Sequence, residues 1–166
     1  VATAGTATAT VDLVDLAGGD LVDALPLGRG TVAGLAVRDR GEGRPDVWAA
    51  TWDGELVGWG RDGVTRRSLG VTLEAVAVDP ASGRLAVARD GVEVAVLPTP
   101  DAEPTWVVPL PDAAVHLAFG AGGELLVATA DGSLLRLDLG PPPPRAEAEA
   151  AWGARLAPTG GVTLSP

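Results

Sequence analysis

The sequence predicts an all-β protein made of a series of small antiparallel sheets, and three observations carry that prediction. A six-residue apolar phrase returns at 32–37, 73–78 and 114–119, so that successive copies begin 41 residues apart. A period in this range is the signature of stacked or radial repeats. Each phrase is followed by a polar turn, an apolar run reaching Asp-Gly (Asp53-Gly54, Asp90-Gly91, Asp131-Gly132), and a further apolar run. Asp-Gly suits a tight hairpin, because primed turns need positive φ and Gly adopts it at little steric cost. Finally, the runs are short, β-rich and closely spaced by turns, which is the pattern of a meander.

Taken in order, the chain opens on Val1-Ala2-Thr3-Ala4, which repeats Val127-Ala128-Thr129-Ala130 letter for letter and so reads as the second strand of a repeat. Residues 20–25 are the first of four candidates for an outer strand; the others are 64–69, 105–110 and 149–156. Pro109 lacks a ladder donor, which puts these runs at sheet edges. The first meander adds an extra loop over 38–45, expected on the surface, before continuing through 46–52. In the second, Val92, Val94 and Val96 alternate with Glu93 and Ala95, giving one apolar face. The third runs from 114–119 through a glycine-rich turn at 120–123 to 124–130, Asp131-Gly132 and 133–139. Residues 141–144 are all proline and read as a stiff loop, with a short helix over 145–149 before strand-like sequence resumes.

At the far end, 161–166 resembles the first strand of a repeat and its turn, with Ser165-Pro166 standing where Asp79-Pro80 stands. The two ends then supply one further sheet, and pairing the first strand with the last removes an exposed edge. Four-stranded sheets with an outer edge strand are propeller blades. The predicted fold is therefore all-β and β-propeller-like, with about four blades of four-stranded antiparallel sheet closed by pairing of the N- and C-terminal strands. Residues 1–166 form a single domain in this reading, with blades near 1–19 plus 149–166, 20–60, 61–99 and 104–140.

Composition bounds the function. A chain of 166 residues is long enough for one packed domain, and no apolar run approaches the roughly 20 residues that span a bilayer. The first residues lack the basic start of a secretory signal, so the expected compartment is the cytoplasm, with a signal removed by processing as the alternative. The absence of cysteine excludes disulfides and thiolate chemistry. A net charge of −10, from 14 Asp and 8 Glu against 12 Arg, opposes nucleic acid and anionic membrane surfaces as partners. There is no Lys, Ile, Asn or Gln, and a GC-rich coding sequence accounts for the all-Arg cation set without a functional reason.

Residues 115–119, 125–132 and 137–138 together resemble the repeat of the WD-repeat propeller family. Trp59-Gly60, Leu137-Asp138 and Val14-Asp15 fall where that family carries Trp-Asp. The family's Gly-His dipeptide is missing, and the one histidine, His116, sits elsewhere in the repeat. Quinone-binding, lactonase-like and NHL-type propellers share similar blades. The resemblance implies that the hairpins and the loops entering each blade share a face that binds partner proteins. It points to Trp52 and Arg89 on the hairpins, with Arg29 and Asp112 on the entering loops, as contacts. Trp52 is expected in the slot that Arg89 and Ala130 occupy in the other copies, whereas Trp48 and Trp59 are expected to pack between blades.

Little else in the chain signals chemistry. His116 has no second His or Cys with which to bind zinc. None of the serines Ser68, Ser82, Ser133 and Ser165 lies in a Gly-x-Ser-x-Gly elbow. Asp12, Asp15, Asp20 and Asp23 form a dense acidic set that reads as a solvated face, with calcium as the other option. The expectation is thus a non-catalytic protein-interaction scaffold with no cofactor and a protein partner. The alternatives are a lactonase-like enzyme or calcium binder, a fragment of a larger propeller, and a homodimer completing a larger ring.

Overall fold

A computed structural model describes residues 10–28, 30–41, 43–61 and 63–140, and the backbone of 2–5. The described residues are all-β and contain no helix. The strands are β1 (Ala2–Gly5), β2 (Thr10–Val14), β3 (Leu21–Pro26), β4 (Val32–Arg38), β5 (Asp46–Thr51), β6 (Glu55–Gly60) and β7 (Gly63–Ser68). They continue with β8 (Leu73–Val78), β9 (Leu85–Arg89), β10 (Glu93–Leu97), β11 (Trp106–Pro109), β12 (Ala114–Phe119), β13 (Leu125–Thr129) and β14 (Leu134–Leu137). Four antiparallel sheets result, ordered β1-β2-β3, β4-β5-β6-β7, β8-β9-β10-β11 and β12-β13-β14. Three of the four outer strands expected from the sequence are β3, β7 and β11, each at the edge of its sheet. Each pairs backward with the sheet before it, so the sheet limits are offset from the 41-residue repeat units. The expected loop at 141–144, helix at 145–149, strand at 149–156 and closing strand at 161–166 lie outside the described residues.

The sheets pack face to face in chain order through three cores. The first and second sheets bury Val11, Leu13, Leu25 and Leu27 against Val47, Ala49, Val57 and Trp59. The second and third bury Ala36, Trp48, Ala50 and Leu56 against Leu73, Val76, Leu85, Val87, Ala95 and Leu97. The third and fourth bury Ala86, Ala88, Val94, Val96 and Val108 against Leu117, Leu125, Val127, Leu135 and Leu137. The period-2 alternation of a strand sends Val47 and Ala49 to one core and Trp48 and Ala50 to the next. The same division separates Val94 and Val96 from Ala95 and Leu97. Here the structure corrects the sequence reading: β10 is apolar on both faces, because Ala95 meets the second sheet, while Val92 leaves the strand and is exposed. The leading strands β1, β4, β8 and β12 lie against one another in turn.

Every leading strand described in full carries the same irregularity. The register shifts between Val32 and Gly34, between Leu73 and Ala75, and between Ala114 and His116. The extra residues are Ala33, Glu74 and Val115. A bulge takes one side chain out of the ladder pairing and re-aims it; Val115 is thereby exposed, while Ala33 and Glu74 stay partly buried.

Arginines join neighbouring sheets through backbone carbonyls. Arg38 bonds Pro80 O and Ala81 O of the third sheet, both at 3.1 Å. Arg66 reaches back to Pro26 O and Leu27 O of the first sheet. Arg67 reaches forward to Ala102 O and to Glu103, the latter at 2.7 Å. The most buried of the set is Arg84, 3% exposed, which pairs with Asp79 at 3.1 Å and bonds Gly123 O and Gly140 O of the fourth sheet, also at 3.1 Å. Its guanidinium lies 5.7 Å from the Phe119 ring centroid. The guanidinium fork suits this task, since it offers several donors in fixed geometry and is only weakly hydrated.

Candidate interaction face

Antiparallel order puts the β5–β6, β9–β10 and β13–β14 hairpins at one end of their sheets, together with the loops that enter β4, β8 and β12. One hydrogen bond recurs there. Trp52 N donates to Thr31 O, Asp90 N to Thr72 O and Ala130 N to Ala113 O, at 3.0, 3.0 and 2.8 Å. Each ties a hairpin to the entering loop of its own sheet. Two further bonds, Leu69 N to Gly54 O and Leu110 N to Val92 O, extend the β6–β7 and β10–β11 ladders at this end, and a third, Ala114 N to Gly91 O at 3.2 Å, ties the β9–β10 hairpin to the fourth sheet. Gly54, at φ 88°, sits so close to the Val71 backbone that a side chain there would collide with it. Together with the chain segments 69–72 and 110–113, these bonds form a backbone rail along the hairpin end of three sheets, with one hydrogen bond, Ala114 N to Gly91 O, crossing from sheet to sheet.

The rail settles which residues are equivalent, and it corrects the expected slot. Arg89 pairs with Leu73 in the ladder, where Thr51 pairs with Val32 and Thr129 with Ala114. The counterpart of Trp52 is Asp90, and Arg89 stands where the two threonines stand. The cause is a shift of Asp-Gly within a three-residue loop. In the second and fourth sheets Gly54 and Gly132 take the last loop position at φ near 88° and 87°. In the third sheet Asp90 and Gly91 take the first two positions, at φ 50° and 79°, the double positive φ of a type I′ turn.

The base of each hairpin changes accordingly. Thr51 Oγ1 accepts from Glu55 N at 3.0 Å, and the Thr129 hydroxyl lies 2.7 Å from Asp131 Oδ1 and 3.1 Å from Ser133 O. In the third sheet the Arg89–Glu93 ion pair, at 3.1 Å, fills the same place.

Trp52 is 50% exposed at the tip of its hairpin, whereas Trp48 and Trp59 are 6% and 2% exposed within two different inter-sheet cores. Asp112 is half-buried on an entering loop and accepts Ala113 N at 2.7 Å. Arg29 lies outside the described residues. The structure thus brings Trp52, Arg89 and Asp112 to one end, with Arg89 bound to Glu93.

Glu74 is the participant that sequence reasoning missed. It is the bulge residue of β8, and its Oε1 accepts Gly91 N at 2.8 Å, pinning the hairpin tip from inside. Its other oxygen is buried without a hydrogen-bond partner. Burial pushes this carboxyl up, the Gly91 N–H pulls it down, and the nearby Asp90 charge pushes it further up, for a net rise. The signal was present in the sequence: Glu74 is the single charged residue in the three apolar phrases. Asp131 moves the other way, held below the usual carboxylate range first by the Thr129 hydroxyl and then by Ser133.

Among the described residues no three His, Asp or Glu side chains converge as a metal ligand set. Asp15 instead closes its own turn by accepting Ala17 N and Gly18 N, and Asp23 pairs with Arg44 at 2.9 Å. His116 is exposed on β12. Ser82 and Ser133 donate to Asp79 and Asp131 within turns. No described helix is long and apolar enough to cross a membrane. No protein-family model matches the chain, and no curated protein matches it significantly.

Proposed function

We propose that this chain is a non-catalytic protein-interaction scaffold, a WD-repeat-like β-propeller of about four blades that presents its hairpin end to a partner protein. The observation that carries this reading is the backbone rail. It holds three hairpins and their entering loops at one end of the sheets through main-chain bonds, and it leaves Trp52 half exposed at the tip. An exposed aromatic on a rigid support costs little ordering entropy on binding and is the favoured type of hot-spot residue. Face-to-face packing of the sheets in chain order, with their leading strands in contact one after another, supports the propeller arrangement. A photoactivatable side chain placed at position 52, and separately at the exposed outer-strand position 64, tests the face in cells that express the chain. A discrete protein adduct from 52 and none from 64 is expected. Equal adducts from both, or none from 52, would overturn the assignment.

A further inference from the structure

We infer that the hairpin-end face takes a cationic protein segment, one carrying Arg or Lys beside an apolar side chain; this rests on reading that face as the docking surface. The apolar part of the face is Trp52, Val92 and Val115, exposed by 50%, 47% and 58%. The bond from Ala114 N to Gly91 O, at 3.2 Å, holds the start of β12 beside the β9–β10 hairpin, so Val115 and Val92 each adjoin a residue of that bond. Exposed apolar side chains on rigid hairpin tips are costly in water unless a partner covers them.

Charge decides the class of partner. Asp53 and Asp90 are exposed beside these residues, and their carboxylates make no hydrogen bond or ion pair with another described residue. Asp112 and Asp131 bond only to groups of their own loops, which neutralise no charge. Glu74 lies beneath Gly91. The one described base on these hairpins, Arg89, is matched by Glu93. Among the described residues the face is therefore negative beside its exposed apolar side chains, in a chain of net charge −10, which steers cations toward it and repels acidic segments and phosphates. The open indole of Trp52 adds a surface over which a guanidinium or ammonium can lie.

Three capped peptides test this by amide and indole NMR: Gly-Arg-Leu-Arg-Gly, Gly-Ser-Leu-Ser-Gly and Gly-Glu-Leu-Glu-Gly. The basic peptide is expected to move the Trp52 indole and the Gly91 amide, with the effect fading at high salt. The double variant Asp53→Asn and Asp90→Asn is expected to weaken it about tenfold, the combined worth of two exposed ion pairs. Asn tolerates the positive φ of position 90, so the hairpin is retained. Equal binding of the neutral or acidic peptide at Trp52 would overturn the charge class while leaving a docking face in place. No movement at Trp52 with any peptide would overturn the inference, and the adducts from position 52 then report on the docking reading separately. Calcium chloride alone moving the same amides would reassign the carboxylates to a metal and overturn it as well.

Discussion

The two ends of the sheets solve opposite problems. At the turn end, polar side chains build the structure: Arg84 and Asp79 are buried as a pair, Arg84 extends to two carbonyls of the fourth sheet, Arg38 holds the β8–β9 turn, and Arg40 pairs with the buried Asp46. At the hairpin end main-chain bonds share that work with the Glu74, Thr51, Thr129 and Arg66 side chains, while the Asp53 and Asp90 carboxylates make no hydrogen bond or ion pair with another described residue. A side chain committed to holding the structure together is unavailable to a ligand, and that contrast is the reason the hairpin end is the one proposed to bind.

The largest effect should come from breaking the turn end. Arg84→Met leaves the Asp79 charge buried without its partner and is expected to cost about 3–5 kcal/mol in denaturant unfolding. A loss below about 1 kcal/mol would mean that the pair is solvated and the contrast between ends is weaker than drawn. Trp48→Ala should cost a similar amount, about 3–5 kcal/mol, by opening a cavity between the second and third sheets.

The pH response sharpens the comparison through one carboxyl at each end, Asp79 at the turns and Glu74 at the hairpins, which shift in opposite directions. Burial opposes the Asp79 charge, but bonds from Ser82, Ala81 and Arg84 outweigh it and hold the carboxyl below its ordinary 3.8. Its stabilisation is present above that value and is lost as pH falls through the lower folded pKa. Glu74 is raised above 4.5, so its contribution is present below that value and is lost as pH rises through the folded pKa. Asp79→Asn should therefore lower stability at neutral pH and flatten the acid limb. Glu74→Gln should leave neutral stability equal or higher. Unfolding curves from pH 3 to 7 check both, and a Glu74→Gln loss at neutral pH would show that the charge is needed at Gly91. The smallest effect on stability belongs to Trp52→Ala, within about 0.5 kcal/mol, since its backbone N–H to Thr31 O survives the change. A larger loss would make Trp52 part of the fold.

Much of this architecture was legible in the chain. The return of one apolar phrase marked the leading strands, the turn residues marked the meanders, and the large aromatics Trp48 and Trp59 were placed between sheets because an indole on a continuous strand has few other stable places. The hairpin alignment was misread, because Asp-Gly looks alike whether it fills the first two or the last two positions of a three-residue loop. Only the ladder, with Arg89 opposite Leu73, distinguishes the two. The arginines were also under-read. Compositional bias explains why they are Arg, but not that Arg38, Arg66 and Arg84 reach carbonyls some 40 to 56 residues away.

The sequence by itself determined what is local and periodic: strand positions, their short turns and the meander order. These follow from backbone geometry and from alternation, which act over a few residues. Only the tertiary structure decided which hairpin residues are equivalent, that a bulge aims Glu74 beneath the next hairpin, and which arginines are committed between sheets. Those outcomes depend on the separation of sheets packed face to face, a distance that no local pattern in the chain encodes.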